Sequence, residues 1–304
     1  MAQEPPPFEA PPLEACYRHP NVGTRVHCTR CERPICPECM IPAPVGYQCP
    51  ECVEQARREF RAGPQRRARQ AATTSPTKII LAAIAAMFVV ELVRSGGGGV
   101  GTGPSLQTLV DLGAMFPPAV AAGQYWRLFT SMFLHAGILH IAFNGYALWI
   151  FGPVVEEEFG RIRFVLIYFL SGFLAGVASY TFGPPVEVGV GASGAIVGVF
   201  GAFIAFNFRR RHLGLARARL RMAATLIVIN AVIALAIPSI DWRAHVGGLV
   251  AGFATGLFAE GFGKRSTRVM IQVAGFAALT VAGIALLMWR TEQLRELLAG
   301  TPFA

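Results

Sequence analysis

Charge is scarce in this chain of 304 residues: 15% are Asp, Glu, Lys or Arg, against 53% hydrophobic ones. That balance excludes an ordinary soluble domain of this length, and the sequence reads as a membrane protein. Cysteine is absent beyond Cys52, for all seven cysteines lie between Cys16 and Cys52. No disulfide framework can hold the apolar remainder, and two regions of different chemistry are implied. The first twenty residues have neither a basic start nor an apolar stretch, so no secretory signal is expected there and the N-terminus is expected in the cytosol. Internal repeats and charged mid-span residues, which a transporter of seven helices would carry, are not evident. The net charge of +9 is spread in short Arg and Lys clusters between apolar runs. Topological anchoring and contact with anionic lipid account for it better than a nucleic-acid partner.

Five regions follow from composition. Residues 1–15 are a Pro-rich tail, expected to be disordered. Residues 16–53 hold the cysteines. Residues 54–77 form a basic linker with Arg57, Arg58, Arg61, Arg66, Arg67 and Arg69, either an amphipathic helix at the inner surface or a flexible spacer. Residues 78–290 are the membrane region, and 291–304 an outer tail. A bilayer core takes roughly 20 apolar residues per helix. Spans are expected at about 79–94, 133–153, 163–182, 191–208, 222–238, 244–262 and 269–289, an all-α bundle of seven helices. Basic residues recur in alternate connections: the linker, Arg161 with Arg163, the run Arg209 to Arg221, and Lys264, Arg265 and Arg268. The N-terminus is therefore expected inside and the C-terminus outside. In the long outer loop 95–132, Tyr125 and Trp126 are expected as interfacial anchors, with Arg127 at headgroup level.

Polar side chains at membrane depth are costly and usually functional. His135, His140 and Asn144 open the second span, Ser193 the fourth and His245 the sixth. All three spans enter from the outer side, so these residues share one side of the membrane and a similar depth. His140 and Asn144, four apart, share a helix face. Gly248, Gly252 and Gly256 recur every four residues, matched by the small Gly194, Gly198 and Gly201. Close packing of the fourth and sixth spans is expected to bring His245 within hydrogen-bond reach of Ser193, a Ser–His dyad. His140, Asn144 and the Ser193 backbone N–H are the candidate oxyanion donors. Asp241, four residues before His245, suits a helix N-cap better than a triad. Glu91, Glu156, Glu157 and Glu158 are expected at the interface, against a paired-carboxylate mechanism.

HAGILHIAFN (His135 to Asn144), GASG (Gly191 to Gly194), AHVGGLVAG (Ala244 to Gly252) and Trp126-Arg127 resemble, in order, the signatures of the rhomboid intramembrane serine proteases. The resemblance covers roughly residues 79–262, the last span making a six-plus-one arrangement. It implies a Ser193 nucleophile, a His245 base, and His140 with Asn144 in the oxyanion hole, with His135 a structural neighbour. It further implies transmembrane protein substrates within the lipid bilayer, no catalytic metal and an integral protein of a bacterial plasma membrane. Val197 stands where such proteins often carry an aromatic residue, and Gln124 where Glu is common. Altered tuning is expected from both. A rhomboid-like protein without activity that binds membrane clients is the alternative, disfavoured by the presence of Ser193 and His245.

The cysteines fall as Cys16-x-x-His19, Cys28-x-x-Cys31, Cys36-x-x-Cys39 and Cys49-x-x-Cys52, eight ligands that would fill two tetrahedral zinc sites. So short a segment buries little core, so the metal is expected to supply its folding free energy. The module resembles a B-box-type zinc finger, which implies that Cys16, His19, Cys36 and Cys39 hold one Zn²⁺ and Cys28, Cys31, Cys49 and Cys52 the other. Both ions are expected to be structural. His27 is read as an exposed neighbour, and binding of a protein partner is the one further role expected of the module.

Overall fold

The structure, a computed structural model, describes residues 12–57, 75–96, 103–237, 239–261 and 264–299. The start of the Pro-rich tail, most of the basic linker (58–74) and the C-terminal residues 300–304 lie outside the described residues. The chain divides into two compact units, Met1–Thr73 and Thr74–Ala304.

The first unit has two short antiparallel hairpins, β1 (Glu14–Ala15) with β2 (Gly23–Thr24) and β3 (Ile41–Pro42) with β4 (Tyr47–Gln48). Its buried core is Ile35 with Cys16, Cys28, Cys36, Cys39, Cys49 and Cys52. Sulfur occupies the place where a larger domain would put leucine and valine, leaving little apolar area to drive folding.

The second unit is helical for most of its described length. Its elements are α1 (Pro76–Arg94), α2 (Leu106–Asp111), α3 (Pro117–Ala121), α4 (Arg127–Thr130), α5 (Ile138–Phe159), α6 (Arg161–Phe182), α7 (Ser193–Arg209), α8 (Gly214–Ala236), α9 (Trp242–Glu260) and α10 (Arg265–Leu298). Among the described residues, α1, α5, α6 and the segment Ser266–Leu298 of α10 are long and apolar enough to cross a membrane, and α7 is a shorter apolar helix. The expected fifth and sixth spans fall on α8, whose start carries Arg217, Arg219 and Arg221, and on the Gly-rich α9. Neither is among those four.

Ile80 and Ile84 of α1, Leu148 and Val155 of α5, Phe164 and Tyr168 of α6 and Val199 and Phe203 of α7 form one buried cluster. Where α1 begins, Glu156 accepts hydrogen bonds from Ser75 Oγ (2.5 Å), Thr77 Oγ1 (2.8 Å) and Thr77 N (3.2 Å). Its carboxylate thus takes up donors that the start of α1 cannot use internally, and ties α1 to α5. Glu260 of α9 pairs with Arg209 of α7 (2.8 Å) and with Arg210, just beyond the end of that helix.

Three details differ from expectation. The second span begins at Ile138, not near 133, because residues 131–133 form a 3₁₀ turn and Gly137 is extended. The last helix continues to Leu298, because Leu294 and Leu298 share a buried cluster with Val120 and Ala121 of the loop between α1 and α5. Arg127, expected at headgroup level, is buried within the loop, donating to Gln124 Oε1 (2.7 Å), Val110 O (2.7 Å) and Ala114 O (3.0 Å). One guanidinium has enough donors to satisfy several backbone carbonyls at once, and here it holds the loop's turns together.

Candidate functional site

Ser193 is the first residue of α7, so its backbone N–H is one of the donors that the helix leaves unused. The segment before it is pinned to the loop between α1 and α5. Met115 and Gly189 exchange backbone hydrogen bonds (3.0 and 2.8 Å), and Gly191 N–H donates to Ser131 O (2.9 Å). Gly191 itself has φ +125°, which an L side chain rarely adopts. A methyl group there would lie 2.7 Å from His140 Nε2 and 3.7 Å from Ser193 Oγ. The imidazole of α5 and the hydroxyl of α7 therefore flank one space, which a side chain at 191 would fill.

His140 lies in the first turn of α5, and its Nδ1 accepts the Ala136 N–H at 3.3 Å. An accepting Nδ1 puts the ring proton on Nε2, the nitrogen facing Gly191 and Ser193. Asn144, one turn further along, is buried, and its side-chain amide has no hydrogen-bond partner among the described residues.

His245 stands in the first turn of α9, which presses closely against α7. A methyl group on Gly256 would come 2.8 Å from Ala202 Cα, and side chains on Gly248 and Gly252 would overlap the carbonyls of Gly194 and Gly198. No hydrogen bond joins Ser193 to His245 among the described residues. Asp241 does cap α9, its Oδ1 accepting from Arg243 N and Ala244 N at 3.0 Å each. Its Oδ2 takes the Ser179 hydroxyl of α6, so both carboxylate oxygens are engaged away from the imidazole.

One residue stands differently from expectation. Glu91 is not interfacial but fully buried in α1, both its oxygens 3.2 Å from His135 N. Sequence spacing gave no signal for this, because the partner is a backbone amide 44 residues away. His135 is also fully buried, its Nδ1 3.3 Å from Phe133 O and its ring edge-on to His140 at 5.0 Å between centroids.

In the first unit, the ligand atoms of Cys16, His19, Cys36 and Cys39 lie within 4.8 Å of one another, as do those of Cys28, Cys31, Cys49 and Cys52. These two clusters could each bind a metal ion. His19 points Nδ1 at Cys36 Sγ (3.1 Å) and Cys39 Sγ (3.6 Å). His27 is outside both groups, facing Glu14 at 3.3 Å. Burial by itself would raise the thiols of Cys16 and Cys28. For Cys16 this is outweighed by backbone N–H groups of Arg18, Cys36 and His19, and its pKa falls to about 6. Donors from Cys49, Arg30 and Cys31 likewise bring Cys28 down to about 6. Cys39 and Cys52 are pushed up to about 11 and about 12 by burial and by the neighbouring sulfurs. Three or four thiolates this close repel one another unless a cation lies between them, and a divalent ion that favours sulfur and imidazole nitrogen would meet that need.

Residues 122–261 match the rhomboid domain. The chain is 38% identical over 188 residues to "Rhomboid protease GluP" of Bacillus subtilis (strain 168), covering 60% of this chain and 36% of that one. It is 37% identical over 134 residues to "Putative rhomboid protease YdcA" of the same organism, covering 44% of this chain and 67% of that one. It is 40% identical over 156 residues to "RHOMBOID-like protein 6, mitochondrial" of Arabidopsis thaliana, covering 51% of this chain and 50% of that one. The chain thus spans half or less of the length of the first and last of these relatives.

Proposed function

The chain belongs to the rhomboid family, an integral membrane protein by that membership and its apolar helices, and we propose that it is an intramembrane serine endopeptidase. Its substrates are membrane-anchored proteins, cut in or near a transmembrane segment. The observation that carries this reading is the space beside Gly191, flanked by His140 Nε2 and Ser193 Oγ at the outer end of the α7–α9 pair that bears His245.

Ser193 is the nucleophile and His245 the base. As Oγ attacks the carbonyl carbon, its proton passes to the neutral imidazole and the carbonyl π electrons move to oxygen. Three donors meet the oxyanion: His140 Nε2–H, the Asn144 amide and the Ser193 backbone N–H. Collapse of the intermediate breaks the C–N bond, and His245 returns the proton to the leaving amine. A water, deprotonated by His245, then attacks the acyl ester and Ser193 regains its proton. Hydroxyl and imidazole draw together when substrate enters, as catalytic hydrogen bonds commonly tighten in the bound complex.

We read α1 and α5 to α10 as seven spans in a six-plus-one bundle of a bacterial plasma membrane, N-terminus inside. The two ligand groups of the N-terminal module are read as structural zinc sites of B-box type, Cys₃His and Cys₄. The N–H···S bonds at Cys16 and Cys28 and the mutual proximity of each set support that choice.

An active-site-directed fluorophosphonate should label the purified protein. Ser193→Ala should abolish both labelling and cleavage of a model membrane substrate. Cleavage that persists in Ser193→Ala refutes the mechanism, and no cleavage by the intact chain would leave client binding as the function.

A further inference from the structure

Glu91 is the one carboxylate among the described residues that is fully shielded within the second unit, and the mechanism above makes no use of it. Burying a carboxyl at membrane depth is costly, and a leucine would fill the same place without that cost. Among the described residues, the sole hydrogen-bond partner of its carboxylate is the backbone N–H of His135, at 3.2 Å from either oxygen. We propose that Glu91 is a positioning residue for the oxyanion donor His140, acting through the backbone of residues 134–136.

The path is short. Glu91 of α1 fixes the amide of His135. The next amide, of Ala136, donates to His140 Nδ1 at 3.3 Å, and that bond keeps the ring proton on Nε2, beside Ser193. The His135 ring, buried and packed edge-on against His140, is held by the same residue whose N–H Glu91 receives. Residues 134–137 precede α5 and have no helical ladder to order them. Without the carboxylate this segment is free to turn, and with it the donor that selects the His140 tautomer.

The inference rests on the proposed role of His140, and two readouts separate its failure from that of the protease reading. The first needs no catalysis: the ¹⁵N spectrum of histidine-labelled protein in detergent, with the His140 signal identified by its loss in His140→Ala. The intact chain and Glu91→Gln, whose amide oxygen still accepts, should show the Nε2–H tautomer. Glu91→Leu and Glu91→Ala should show a mixture with Nδ1–H. The second is kinetic: either apolar variant should lower kcat about 10–100-fold, less than outright loss of a donor, with KM within about twofold. Glu91→Gln should stay within about threefold of the intact chain. In a His140→Ala background the apolar variants should cost nothing further, the non-additivity of residues acting as one unit.

An unchanged tautomer in the apolar variants, or an equal loss with and without His140, overturns the proposal. So does failure of both apolar variants to fold, which would make Glu91 a structural anchor. If the intact chain does not cleave, the protease reading falls alone, and the tautomer result still decides the role of Glu91.

Discussion

Arg33 illustrates what one side chain can do beside a sulfur cluster. Its guanidinium donates to Cys31 Sγ at 3.3 Å and Cys49 Sγ at 3.6 Å, pairs with Glu51 at 2.6 Å and lies 4.3 Å over the Tyr17 ring. Four thiolates around a divalent ion would carry two excess negative charges, one of which this cation offsets, and groups that hydrogen-bond metal ligands commonly tune affinity by about 10–100-fold. Arg33→Met should weaken metal retention at the Cys28, Cys31, Cys49, Cys52 group by about tenfold, and leave the other group unchanged. Chelator competition followed by elemental analysis checks this. Cys39 and Cys52, raised to about 11 and about 12 in the metal-free form, carry their protons at pH 7. Metal binding must therefore release protons, so affinity rises with pH and metal is lost on acidification. Calorimetry in buffers of different ionisation enthalpy measures the release, and a count of zero would contradict it. Asp241 serves the membrane unit in a simpler way. Asp241→Ala removes two backbone acceptor contacts and the bond to Ser179, and should cost about 1–2 kcal/mol, read as a lower Tm of the detergent-solubilised protein.

At the scale of elements, the α7–α9 pair shows why glycine recurs where it does. Between helices in lipid there is little hydrophobic driving force, so association depends on close backbone approach. Gly198 and Gly252 meet so tightly that no Cβ fits between them. Gly252→Val should push α9 from α7, cost about 1–3 kcal/mol, and displace His245 from Ser193. Loss of fluorophosphonate labelling with helical circular dichroism retained is the expected result. α8 is built otherwise: Val228, Ile229 and Val232 are exposed on it, as suits a face turned to acyl chains. The loop between α1 and α5 is ordered by a buried cation as well as by its buried Leu109, Met115 and Val120, for the donors of Arg127 tie its short turns together.

For the molecule as a whole, about two zinc ions per chain are expected by elemental analysis, and a metal-free preparation with intact Cys49 and Cys52 would overturn the zinc reading. Hydropathy and the ordered motifs were enough to mark a helical membrane protein of the rhomboid family, because lipid permits few backbone solutions and so leaves strong periodic signals. Four-residue spacings likewise placed His140 with Asn144, and Gly248 with Gly252, on common helix faces, since helical geometry alone fixes such neighbours. Long-range partners lay beyond that logic. The burial of Glu91 against the His135 amide, the turning inward of Arg127, the extension of α10 to Leu298 and the approach of His140 Nε2 and Ser193 Oγ around Gly191 each join residues far apart in sequence. Local pattern states what a side chain is and which face it occupies; only packing of one helix on another decides what it touches.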